Sequence, residues 1–322
     1  MSERVAVIGG GQNVEHHVSA ASAVAVADAL WSSGHSVLLL EIGTDGVWRA
    51  EGDALGATAG ESLVAATSFL AASDVVFPCV HGPRGEDGVL AALCSLAQVR
   101  VVGSGVTTGA VGMDKHLAKL VAQDAGVRVA PGVVVPAVEA EAVAFSREVV
   151  VKPVASGSSH GVSLARDASE LMAAIRAAGR VSGDGRVLVE QPIRGREIDV
   201  AVLREPDGSR WAAPALEIHT DGLFDTRTKY DGSARFTVPA LLAPEEADAL
   251  TRAALTLFDA FGCGGVARMD FFLTDEGVVF NEVNTMPGLT AASQVPRMFR
   301  AAGLAYEDLV GRLVEGARWP TT

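Results

Sequence analysis

The chain has 322 residues, is 49% hydrophobic and carries a formal net charge of −13 at pH 7. That size and apolar content allow large cores and suggest two or three domains, whereas the acidic balance excludes general nucleic-acid binding, which needs a basic face. No apolar run approaches the roughly 18 to 20 uncharged residues that cross a bilayer, so no membrane partner is expected. Met1-Ser2-Glu3-Arg4 leads straight into a strand-like segment without the shape of a signal peptide, and a cytoplasmic protein is expected. Cys79, Cys94 and Cys263 are odd in number, far apart and set in apolar stretches. This fits reduced, buried thiols better than a disulfide frame or a zinc site.

Apolar runs of strand length alternate with amphipathic stretches, the pattern of an α/β fold. Val5 to Ile8 reads as a buried strand, followed by a glycine turn, an alanine-rich helix over Ser19 to Leu30, and strands over Ser36 to Ile42 and Asp74 to Val80. Asp114 to Ala125 reads as a helix with an acidic start, apolar Leu117, Leu120 and Val121, and Gly126 just past its end. Val149 to Val154 is strand-like. Asp167-Ala168-Ser169-Glu170 resembles a capping box opening a helix to Ala178, and Arg186 to Ile193 is a strand leading into Gly195. The last third contains a strand at Glu197 to Leu203, a polar loop from about His219 to Arg235, a helix over Pro244 to Phe261, and strands Ala267 to Leu273 and Gly277 to Asn284.

Four segments carry candidate chemistry. Gly9-Gly10-Gly11 after the first strand suggests a dinucleotide turn, with Glu41 near the end of the second strand, but Val14 stands where the third glycine belongs. Glu15-His16-His17 follows at a strand-to-helix junction, where α/β folds build sites; taken alone, Glu15 is most simply a dipole-complementing residue of a first helical turn. His81-Gly82-Pro83-Arg84-Gly85-Glu86-Asp87-Gly88 directly follows a strand and has the composition of a ligand loop. Lysine is rare: arginine supplies 22 of the 26 basic residues, and the four lysines are Lys115, Lys119, Lys152 and Lys229. Lys152 precedes a small-residue loop, Ala155 to Gly161, whose backbone N–H groups can cradle phosphate beside the compact ammonium charge.

The strongest cluster is Arg268 and Asp270 on one strand with Glu282 and Asn284 on the next. Residues two apart share a strand face, so pairing of the two strands would gather one guanidinium, two carboxylates and one amide. Such a face is costly without a purpose. Its hard oxygen donors suit Mg²⁺ bridging nucleotide phosphates, not zinc. Phe271, Phe272 and Val283 are expected on the opposite, apolar face.

In order along the chain stand HGxxGEDG at His81 to Gly88, GMDK at Gly112 to Lys115, KP with GSS over Lys152 to Ser159, KY at Lys229-Tyr230, and NEVNTMPG at Asn281 to Gly288. With these the chain resembles the ATP-grasp ligases, and within them the D-alanine:D-alanine ligase family, over essentially its whole length. The resemblance implies a three-domain ATP-grasp architecture of α/β class. Residues 1–103 would be an N-terminal Rossmann-like substrate-binding domain, 104–192 a central subdomain, and 193–322 a C-terminal subdomain with the metal and catalytic site. ATP would lie between two antiparallel sheets, with Lys115, Lys152, Ser159 and Lys229 toward its phosphates. Glu190, Gln191 and Ile193 would form the adenine hinge, and Glu197 would take the ribose. Asp270, Glu282 and Asn284 would hold two Mg²⁺ ions, with Mn²⁺ as an alternative.

The resemblance further implies that Glu15 binds the first amino acid's ammonium in a triad with Ser158 and Tyr230. Arg268 and the Gly288 N–H would serve the tetrahedral intermediate, and His81 and Ser293 would contact substrate, Ser293 at the second amino acid's carboxylate. The partners implied are small-molecule amino acids and a second copy in a homodimer. Lys119 matches no role in this scheme and reads most simply as a solvated helix residue. The chain departs from the family pattern at His17, where a glutamate is usual, and at Arg227, where an acid is common. The activity the resemblance implies is ATP-dependent joining of two D-alanines through an acylphosphate for peptidoglycan; a relative with different amino-acid substrates in a specialised biosynthetic or resistance pathway is the alternative, and a catalytically silent nucleotide-binding or NAD-dependent protein on a related sheet is a further one.

Overall fold

The computed structural model describes residues 2–219 and 235–319. The first segment comprises β1 (Arg4–Gly10), α1 (His16–Ser32), β2 (Ser36–Ile42), β3 (Trp48–Ala50), β4 (Asp53–Ala54), α2 (Ala59–Ala72), β5 (Val75–Pro78), α3 (Val89–Leu96) and β6 (Arg100–Val101). They build one sheet of order β4-β3-β2-β1-β5-β6, parallel from β2 through β6. β1 shows no polar alternation because both of its faces are covered. Val5 and Val7 pack under α1 with Val26 and Leu30, while Ala6 and Ile8 meet Leu70 of α2 and Leu90 of α3 on the other side.

The second sheet, of order β7-β10-β8-β9, is antiparallel. α4 (Val106–Met113) and α5 (Lys115–Asp124) precede it. Its strands are β7 (Gly132–Pro136), β8 (Val149–Pro153), β9 (Ser163–Ala165) and β10 (Arg186–Glu190), and α6 (Ala168–Val181) packs Leu171, Ile175 and Ala178 on Val151 and Val187. The expected cap is present, since the Asp167 carboxylate accepts from Glu170 N at 2.8 Å. β10 ends at Glu190, before Pro192, so the expected strand to Ile193 is shorter. Proline offers no N–H to the ladder.

The third sheet runs β14-β13-β11-β15-β16, with β12 beside β11. Its elements are β11 (Arg196–Arg204), β12 (Arg210–Ala212), β13 (Leu216–His219), β14 (Arg235–Thr237), α7 (Pro244–Ala260), β15 (Val266–Thr274) and β16 (Gly277–Asn284), then α8 (Gln294–Ala301) and α9 (Tyr306–Glu315). α7 covers one face through Leu250, Leu257 and Phe258 against Ile198, Val200 and Met269. The other face of β11 shares a core with α8, α9 and, through Tyr306, Leu309 and Val310, with α1 and β1. The first and last segments of the chain therefore share one apolar cluster.

One expectation fails on α5. Leu117 and Leu120 are exposed, at 41% and 47%, and the buried face is Ala118, Lys119 and Ala122. Small residues let the helix sit close to its neighbours, and an acceptor inside the molecule holds Lys119, so neither leucine is drawn inward. All three cysteines are buried and unpaired. Among the described residues no helix is long and apolar enough to cross a membrane.

Leu309 is fully buried in the cluster that joins α9 to α1. Leu309→Ala is expected to lower unfolding free energy by about 3 kcal/mol, measured by urea denaturation. A change below about 1 kcal/mol would show that α9 is not anchored there.

Candidate active site

β15 and β16 pair antiparallel with Arg268 opposite Asn284 and Asp270 opposite Glu282. The four polar residues of the expected cluster therefore share one face. Arg268 donates Nε to Asp270 Oδ1 (2.7 Å), Nη2 to Asp270 Oδ2 (2.8 Å) and Nη1 to Gln294 Oε1 (2.8 Å). Asn284 Nδ2 donates a third hydrogen bond to Asp270, at Oδ2 (3.0 Å), and Asp199 of β11 lies 3.3 Å from Arg268 Nε. Burial works against the guanidinium charge, but Asp270 and Asp199 outweigh it and raise its pKa above the ordinary value. A β-irregularity falls between Asp270 and Phe271. Phe271 goes to the apolar core, whereas Phe272 lines a cavity with Asp270, which corrects the expectation that both rings face away. Successive strand side chains alternate faces, so two adjacent rings do not share one.

Two cavities flank this face. The smaller, about 270 Å³, is lined by Glu15, His81, Ser158, Arg268, Asn284, Gly288, Ser293 and Gln294 among others. Glu15 is the N-cap of α1, and Ser158 donates its hydroxyl to Glu15 Oε1 across a large sequence separation. Glycine is required around that carboxylate: a Cβ at either Gly82, which has φ +70°, or Gly157 would collide with it. Ser158 and Ser159 both hold positive φ, at 50° and 55°, a conformation that costs on the order of 1 kcal/mol per non-glycine residue. The loop after Lys152 is thus held in a strained form that turns its hydroxyls inward.

His81 is buried and neutral in character. Its Nδ1–H donates to Met286 O at 2.8 Å, and its Nε2 faces Ser22 Oγ at 3.3 Å, which itself accepts from Leu289 N. Burial lowers the His81 pKa, against the opposing pull of Glu15. Glu86 closes the same junction, accepting from Gly82 N (2.7 Å) and Met286 N (3.2 Å). Burial, then the nearby Glu15 charge, raises its pKa to about 8. It is therefore largely protonated at neutral pH.

The larger cavity, about 400 Å³, lies between the second and third sheets. Lys152, Ser159, Glu190, Gln191, Ile193 and Glu197 line it together with Asp270, Phe272 and Glu282. Lys115 stands at its inner end because Asp114 caps α5, accepting from His116 N and Leu117 N at 3.0 Å. Lys115 Nζ donates to Ser156 O at 2.6 Å and lies 3.6 Å from Glu282 Oε2. Lys115, Ser156 and Glu282 line both cavities, so the two chambers meet there.

Lys119 is the second correction. It is not solvated: only 5% exposed, it places Nζ 3.1 Å from Glu190 Oε2, while Lys152 pairs with Glu190 Oε1 from the other side. Burial raises the Glu190 pKa, and the two lysines together carry it below the ordinary value. Glu41, the acid of the dinucleotide reading, instead lies 3.4 Å from His16 Nε2. Lys229, Tyr230 and Arg227 lie outside the described residues; His17 is exposed beside His16.

Family models for the D-ala D-ala ligase N-terminus and C-terminus match residues 4–104 and 134–315. A D-alanine–D-alanine ligase of Mycobacterium sp. (strain KMS) is 41% identical over 98% of this chain and 96% of its own length. The chain belongs to the D-alanine–D-alanine ligase family. Another relative of the same name, from Mycobacterium ulcerans, is 39% identical over 98% of this chain and 95% of its own. Among solved structures, the VanG D-Ala:D-Ser ligase from Enterococcus faecalis superposes with a TM-score of 0.82 at 30% identity, covering 98% and 99% of the two chains. The D-alanine-D-alanine ligase from Coxiella burnetii superposes at 0.80 and 28%, covering 98% and 93%. The ATP-grasp fold and the identity as an ATP-dependent carboxylate–amine ligase follow from that membership.

Asp199 and Gln294 have no place in the sequence reading, Phe272 and Lys119 are given the wrong surroundings there, and Glu86 enters only as part of its motif. Asp199 had a local signal, since Glu197 and Asp199 are two acids at strand spacing in an otherwise apolar run. Gln294 had none, because its partners Arg268 and Asp199 come from distant strands.

The Glu86 shift has a signed consequence. An acid whose folded pKa is raised binds more protons folded than unfolded, so its contribution to stability falls as pH rises from about 4.5 towards 8. Between pH 5 and 8, unfolding free energies of Glu86→Gln and the parent should diverge in the variant's favour by about 3 kcal/mol. Parallel pH profiles would show an ordinary ionised carboxylate instead.

Proposed function

We propose that the protein joins two D-alanines into D-alanyl-D-alanine for peptidoglycan precursor synthesis, consuming ATP and releasing ADP and phosphate. The observation that carries this reading is the meeting of the two chambers at Lys115, Ser156 and Glu282, within reach of one guanidinium. The names of the mycobacterial relatives support the choice of both amino acids.

In this reading a carboxylate oxygen of the first D-alanine attacks the γ-phosphorus and the bond to the β-phosphate oxygen breaks, giving an acylphosphate and ADP. The second amine then attacks the acyl carbon, loses a proton, and expels phosphate. Glu15, held by Ser158, binds the first ammonium, and His81 and the Glu86 carboxyl fix the wall opposite. Ser293 takes the second carboxylate. The guanidinium of Arg268 and the Gly288 N–H face the developing oxyanion, where fixed donors are most effective. Lys115 and Lys152 neutralise phosphate charge, Ser159 adds a donor, Gln191 and Ile193 with Glu190 frame the adenine, and Glu197 takes the ribose. Lys229 and Tyr230 would complete the phosphate clamp and the Glu15 triad. Residues 1–103, 104–192 and 193–322 are the corresponding domains, and a cytoplasmic homodimer completes the reading.

Mg²⁺ fits the donor set. Among the described residues no group of three or more His, Cys, Asp or Glu side chains forms a self-sufficient metal site. Two carboxylates and an amide, Asp270, Glu282 and Asn284, are a partial set of hard donors that phosphate oxygens would complete. Bound Mg²⁺, or Mn²⁺ in its place, supplies charge neutralisation of the transferring phosphoryl group.

Incubation with Mg-ATP and a panel of paired amino acids, read by mass spectrometry, should yield D-alanyl-D-alanine with one ADP per dipeptide. ADP release only with other pairs would overturn the substrate assignment. Asp270→Asn should reduce turnover by roughly 100-fold or more with an unchanged circular dichroism spectrum; retained turnover would remove the metal assignment.

A further inference from the structure

Lys119 touches neither cavity, yet its ammonium is buried with that of Lys152 on a single carboxylate, Glu190. All three residues are nearly excluded from solvent, at 5%, 6% and 5% for Lys119, Lys152 and Glu190. The contact from Lys119 is an ion pair at 3.1 Å, and neither its Nζ nor Glu190 Oε2 has a further hydrogen-bond partner. Lys152 in addition donates to Asn281 Oδ1 at 3.3 Å. Burying an ammonium without hydrogen bonds is expensive, and a buried ion pair is weak evidence of a stabilising role.

Charge gives the arrangement a purpose. Lys152 and Glu190 alone would form a neutral pair facing the nucleotide cavity, leaving little field for a polyphosphate. With Lys119 behind the carboxylate the cluster carries one net positive charge, inside a region where Coulomb interactions are weakly screened. We propose that Lys119 is a positioning residue that takes up half of the Glu190 charge and thereby keeps Lys152 effective as a cation for the nucleotide's phosphates. Burial and the Lys152 charge lower the Lys119 pKa to about 8, with Glu190 opposing them, so the ammonium persists at neutral pH. The inference rests on the proposed nucleotide site and deepens it: the base would feel Glu190, and the phosphates would feel the net charge.

The test compares ADP with adenosine by calorimetry on the full chain, with Mg²⁺ present throughout. ADP binding by the parent establishes the nucleotide site itself; its failure would overturn that reading and the inference with it. In Lys119→Met, ADP should bind roughly tenfold more weakly, with adenosine changed less than about twofold. Lys119→Gln removes the same charge while keeping a donor for Glu190, and should give the same split if the methionine variant does not fold. In Lys119→Met/Glu190→Gln the net charge returns to one, so the ratio of ADP to adenosine affinity should recover towards that of the parent. Equal losses for ADP and adenosine, no loss for either, or a ratio that fails to recover in the double variant would each overturn the proposal.

Discussion

The register of β15 against β16 decides where the charges of the two strands' shared polar face lie. Arg268 stands opposite Asn284 and Asp270 opposite Glu282. A slip of one residue by either strand would send that strand's polar pair into the core under α7 and bring its apolar neighbour, Met269 or Val283, to the surface of the cavity. Such a slip is forbidden from both sides, because charge without partners is costly in the core and the apolar residues are needed there. Alternation along β15 then sets Phe272 on the same face as Asp270, so one strand supplies a carboxylate and an aromatic wall to the larger cavity.

Around that face the molecule is organised by shared counter-charges more than by isolated pairs. Arg268 is held by Asp270 and Asp199 and by the Gln294 amide, which also donates to Asp199 at 3.0 Å. Gln294 begins α8 directly after Ser293, so the start of that helix is tied to the guanidinium. Glu190 is divided between two lysines. Each arrangement leaves a charged group buried and oriented before any ligand arrives, the condition under which electrostatic stabilisation needs little reorganisation.

The smaller cavity depends on contacts between remote parts of the chain. His81 joins the loop after β5 to the turn at Met286, and Glu86 reinforces that joint through its two backbone donors. Both side chains are neutral in this setting because burial disfavours their charged forms.

Much of this was legible in the sequence. Continuous apolar runs marked β1 and β2, Asp114 and Asp167 marked helix starts, and the spacing of Arg268, Asp270, Glu282 and Asn284 marked a polar strand face. These are properties of neighbouring residues, set by backbone geometry and local hydrogen bonds. Lys119 was misread because Leu117 and Leu120 suggested the wrong inward face, and the choice was made by Glu190, 71 positions away on another sheet. The bond from Ser158 to Glu15 spans 143 residues and that from His81 to Met286 spans 205. Neighbouring residues suffice to set which segments become strands and helices and which charges are available. Which of those charges meet is settled by packing between segments, because a buried Coulomb interaction depends on distance and dielectric, and packing sets both.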